Sequence, residues 1–117
     1  AMEAIDLLRG EGRKVGLVRL RLWRPFPAAE LRQAVAGAKV LAVVDRAVSF
    51  GGTAGPVAGE IRAALYHGDV RPYVASFIAG LGGRDVTIDD FCRMITEADE
   101  MAATDEIHTY RMIGVRE

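Results

Sequence analysis

Apolar and polar positions change period along this chain, and each change marks an element. From Met2 to Arg9, Ala4, Ile5, Leu7 and Leu8 give one apolar face, with Glu3 and Asp6 early, where a helix dipole favours acids. Gly10 and Gly12 stop that helix. The next block reads with period two. Val15, Leu17, Val18, Leu20 and Leu22 predict a strand over Val15–Leu22, with Arg19 and Arg21 on one face. A strand buried on both faces is apolar nearly throughout. This one therefore presents a face to solvent, to an acidic group or to another chain. Trp23-Arg24-Pro25-Phe26-Pro27 ends it, since neither proline can donate to a ladder.

Pro27 suits the first turn of a second helix over Ala28–Ala36, with Leu31 and Val35 four apart and Gly37 as terminator. Val40, Leu41, Val43 and Val44 make a short run apolar on both sides, the expected sheet centre. A third helix runs from Pro56 or Val57 to Tyr66, burying Val57, Ile61, Ala64 and Leu65. Pro72–Ile78 is the third strand. Thr87 caps a fourth helix from Ile88 to about Ala98, with Asp90 at the third turn position and Ile88, Phe91, Met94 and Ile95 on its core face. The acidic tail Glu97–Glu106 reads as a solvated face or as partly disordered, and Ile107–Val115 as a segment that folds back as a last strand or docks on a neighbour. Strands alternating with helices through short connections predict a three-layer α/β domain with a mostly parallel sheet over residues 1–117. A helix standing before the first strand is unusual for such units, so a fragment of a larger subunit, or a subunit whose first strand lies elsewhere, is expected.

Composition narrows the function classes. The formal net charge of −1 offers no basic stripe for nucleic acid. No stretch approaches the roughly 20 apolar residues of a membrane span. One cysteine permits neither an internal disulfide nor a thiolate-rich metal site, which fits a reducing, cytoplasmic setting.

Two glycine-rich loops follow strands, Ser49-Phe50-Gly51-Gly52-Thr53-Ala54-Gly55 and Ala79-Gly80-Leu81-Gly82-Gly83-Arg84-Asp85. Parallel sheets bind ligands at the carboxyl ends of their strands, and amides at a helix start hold anions. Ser49, Gly51, Gly52, Gly82 and Gly83 are therefore anion-contact or interface candidates, with tight turns as the plainer reading. Neither loop has the dinucleotide or P-loop pattern. Arg46 and Arg84 each stand at a strand end beside an aspartate, where a guanidinium either pairs structurally or grips a carboxylate. Arg24, between Trp23 and Pro25, stacks on an aromatic ring or lies on the surface. His67 and His108 have no nucleophile to activate, Cys92 reads as a small buried side chain, and no carboxylate pair forms an acid/base couple.

Three stretches together, KVGLVRLRLWRPFPAAELRQAV, KVLAVVDRAVSFGGTAGPVAGEIRAALY and FIAGLGGRDVT, resemble the core domain II of pyruvate:ferredoxin oxidoreductase, a transketolase C-terminal-like domain. DRAVSFGG and GLGGRDV carry most of the specificity and point to the pyruvate branch; Arg24-Pro25-Phe26-Pro27 is more widespread. The resemblance implies a parent enzyme that converts pyruvate and CoA to acetyl-CoA and CO2. That enzyme would use thiamine diphosphate, magnesium, CoA and iron–sulfur (4Fe–4S) clusters, and pass electrons to ferredoxin. Those groups are implied for other domains and none for this chain. It implies a structural or assembly domain, inactive alone, with the other domains or subunits as partners. The family's first strand, with its Gly-Ser segment, is absent before Met2, and Ala47 stands where relatives often have Asn. An uncovered sheet edge at Val15–Leu22 would then favour self-association. The same domain from another 2-oxoacid enzyme, or a stand-alone anion- or protein-binding module, are the alternatives.

Overall fold

Helix α1, Met2–Gly10, ends in a turn that its sequence dictates. Gly12 takes φ +87°, its N–H donates to the Arg9 carbonyl (3.0 Å), and the Arg13 N–H reaches back to the Leu8 carbonyl (3.0 Å). This pair of bonds with a left-handed glycine is the Schellman closure, which satisfies carbonyls the helix leaves open. The structure, a computed structural model, describes residues 2–18, 26–46, 54–66, 72–80, 86–104 and 110–113.

The remaining elements are α2 (Ala28–Ala34), β1 (Val40–Asp45), α3 (Pro56–Leu65), β2 (Tyr73–Ile78), α4 (Ile88–Thr104) and β3 (Arg111–Met112). Among the described residues the strands form one sheet in the order β1-β2-β3, with both pairings parallel. Val40 is in register with Tyr73 and Asp45 with Ile78; Phe77 and Ile78 pair with Arg111 and Met112.

Two apolar clusters sandwich the sheet. On one side Leu31 and Val35 from the α2 segment meet Val43 of β1 and Ala58, Ile61 and Leu65 of α3. On the other, Ala75 and Phe77 of β2 meet Met94, Ala98 and Met101 of α4, with Ile113 beyond β3. Helix α1 packs on α4. The result is the expected three-layer α/β arrangement with a parallel sheet. Ala58 needs no side-chain room to speak of and is fully buried, which brings α3 close to the strands.

Several elements depart from expectation. The Val15–Leu22 strand is not present in its described half. Residues 13–18 are irregular, with Leu17 39% and Val18 48% exposed, and Arg19–Leu22 lie outside the described residues. Alternation reports only that a segment could serve as a strand; pairing needs an available edge. Among the described residues the sheet centre is β2 and not β1. Ala75, Ser76, Phe77 and Ile78 are all buried, whereas Ala42 and Val44 of β1 are exposed.

Helix α4 runs six residues past the expected Ala98, to Thr104. Met94, Ala98 and Met101 keep the i, i+4, i+7 spacing on the buried face, so the acids Glu97, Asp99 and Glu100 occupy the remaining positions of one helix and do not begin a tail. Ile88, expected in the core, is exposed, and Leu7 of α1 is half-exposed. Cys92 is half-buried. The expected last strand is realised as β3, which covers the upper part of β2's far edge. Lower on that edge the Arg62 guanidinium donates to the Val74 carbonyl (2.8 Å).

The fourth helix starts as its sequence predicts. The Asp90 N–H donates to Thr87 Oγ1 (3.1 Å), and the Thr87 N–H donates to Asp90 Oδ2 (3.0 Å). This is a full capping box with Asp in the place of Glu. Thr87→Ala should lower unfolding stability by about 1 kcal/mol, read as a shifted urea midpoint at unchanged slope. Arg13→Ala removes the ion pair to Asp99 (2.6 Å) and the bond to Thr96 (3.2 Å). Because Asp99 is 56% exposed, that change should cost no more than about 1 kcal/mol in the same titration.

Candidate functional site

The carboxyl ends of β1 and β2 meet the start of α3, and one acidic side chain organises the junction. Asp45, the last residue of β1, is buried at 4% exposure. Its Oδ1 accepts the Val57 N–H at 2.8 Å and its Oδ2 accepts the Ala58 N–H at 3.2 Å. These are amides of the first turn of α3, where a helix has no internal acceptors to offer. Pro56, at the first helical position, has no N–H to satisfy. Gly55 precedes it as a cap residue that offers no side-chain bond. Asp45 thus performs from twelve residues upstream what a neighbouring Ser or Asp usually does. Its negative charge also meets the positive end of the helix dipole.

The packing around this carboxylate leaves no room for a side chain at residue 55. A Cβ on Gly55 would lie 2.6 Å from the Asp45 carboxyl carbon. The Gly55 N–H instead donates to Oγ of the fully buried Ser76 of β2 (3.3 Å), and its carbonyl accepts the Gly59 N–H (3.0 Å) to open α3. On the other side of Asp45, its backbone carbonyl accepts the Ala79 N–H (2.9 Å), continuing the β1–β2 ladder one residue beyond β2. Strand end, helix start and the exit from β2 are therefore joined through Asp45.

Arg46 follows and is exposed. Its guanidinium lies over the backbone of Gly80, where a Cβ would come within 2.9 Å of Nε. Gly80 has φ +75°, a conformation that side-chain-bearing residues rarely adopt. Backbone conformation thus selects glycine there, whereas the exposed Arg46 guanidinium could shift aside for a Cβ.

Of the candidates read from the sequence, Arg46 is described, and it stands at the strand ends as expected. Arg24, Ser49, Gly51, Gly52, Gly82, Gly83 and Arg84 lie outside the described residues. Asp45, Gly55, Ser76 and Gly80 form the junction and were not singled out for it. The signal for Asp45 was present: an acid closing an apolar strand, with a glycine–proline helix entry to follow. A second concavity lies between α1 and α4, an open groove of about 420 Å3 lined by Leu7, Leu8, Cys92, Thr96 and Glu97 among others. Among the described residues no group of three or more His, Cys, Asp or Glu could hold a metal ion, and no helix is long and apolar enough to cross a membrane.

Comparison with known proteins gives this junction a context. Residues 1–91 match the family described as pyruvate:ferredoxin oxidoreductase core domain II. The ketoisovalerate oxidoreductase subunit VorA of Pyrococcus horikoshii is 49% identical over 88 residues, covering 75% of this chain and 22% of that protein. The pyruvate synthase subunit PorA of Thermotoga maritima is 37% identical over 115 residues, covering 97% of this chain and 28% of that protein. The NADH-dependent phenylglyoxylate dehydrogenase subunit alpha of Aromatoleum evansii is 36% identical over 101 residues, covering 86% and 24%. The chain therefore spans about a quarter of the length of these relatives.

Asp45→Ala leaves two helix-start amides without their acceptor and should lower stability by about 2 kcal/mol, measured by chemical denaturation. Gly55→Ala should destabilise the native chain more than it destabilises the Asp45→Ala variant. A double-mutant cycle should return a coupling of about 1 kcal/mol.

Proposed function

Because the chain belongs to the pyruvate:ferredoxin oxidoreductase core domain II family, we propose that it is a structural and assembly domain of a 2-oxoacid:ferredoxin oxidoreductase. Its work is to present the ends of β1 and β2 to neighbouring domains. One observation carries this reading. The start of α3, where folds of this class hold phosphates and carboxylates, is already filled by the protein's own Asp45 carboxylate. A ligand anion would have to displace a buried acid held by two amides. That weakens the alternative of a stand-alone anion-binding module at this helix.

A second support comes from the spread of the similarity. Relatives named for ketoisovalerate, pyruvate and phenylglyoxylate all match the same domain at 36% identity or better in the cases above. A domain that held the variable part of the substrate would be expected to differ along those lines. The pyruvate assignment read from DRAVSFGG and GLGGRDV is accordingly kept as one member of a broader class, 2-oxoacids. In the parent enzyme, oxidation of the 2-oxoacid with thiamine diphosphate, magnesium, CoA and iron–sulfur clusters, and electron delivery to ferredoxin, fall to other domains. Arg46, braced by Gly80, is the described residue best placed to meet a carboxylate of a neighbouring domain. The loop residues Ser49, Gly51, Gly52, Gly82, Gly83 and Arg84, and Arg24 in the exit before α2, complete the proposed contact surface.

Calorimetric titration of the chain with magnesium and thiamine diphosphate should show no saturable binding. Saturable micromolar binding would overturn the assembly reading and restore a ligand site. In the parent subunit, Arg46→Glu should weaken association with its partner subunits while leaving the melting temperature of the isolated domain within a few degrees of the native value, roughly the shift of an exposed substitution.

A further inference from the structure

We draw no further inference here: the strongest candidate, the open groove between α1 and α4 that Leu7, Leu8 and Cys92 line among the acids Glu11, Asp89 and Glu100, is a partly apolar surface with an acidic rim, and nothing in the structure shows what covers it.

Discussion

The carboxylate of Asp45 is the interaction on which the rest of this fold depends. It sits at the end of one strand, accepts the first available amides of the following helix, and shares its residue with the bond that continues the ladder to β2. Burying a carboxylate is costly unless its oxygens are paired, and here the helix start supplies a donor to each. The same contact fixes the distance between β1 and α3, and so the depth at which Ala58 and Ile61 meet Val43. Gly55 is part of the same constraint, because the carboxylate occupies the volume a side chain would need.

Local chemistry was legible in the sequence wherever both partners lie within one turn. Thr87 and Asp90 announce a capping box three residues apart, and the structure forms it in both directions. Gly12 announces a helix stop and provides it through a left-handed φ. Partners far apart in the chain were harder to see. Asp45 and Val57 are twelve residues apart; the acid at the strand end and the Gly55-Pro56 helix entry can each be read, but not the contact between them. In α4 period outweighs charge: Met94, Ala98 and Met101 hold the buried stripe together across the acids, which the run of charge alone does not reveal. In the segment from Val15 the alternation is not matched by a strand over the described residues 15–18, where Leu17 and Val18 face solvent. Of the eight site candidates, Arg46 alone falls within the described residues, and it stands where the strand-end rule put it.

Family membership and geometry bear on different levels of function. Membership fixes the kind of enzyme whose relatives carry this domain, while the junction at Asp45 speaks to what the domain itself has room to do. A helix start that is closed by its own chain is a structural joint. The neighbouring exposed arginine, resting on a glycine that can hold no other residue without strain, is a feature of the outer surface.

The layering of α1 has a consequence for how the molecule comes apart. Helix α1 packs on α4, is closed by its own Schellman turn, and is bridged to α4 by the partly exposed Arg13 pair. Ile5 and Leu8 are its buried side chains among those described. The two clusters that clamp the sheet do not include them. Detaching α1 would leave both clusters intact, whereas releasing α3 would break the Asp45 junction and one cluster with it. The domain is thus built as a central cooperative unit with an outer helix that can open first, so amide protons of α1 should exchange through sub-global opening while those of β2 wait for global unfolding.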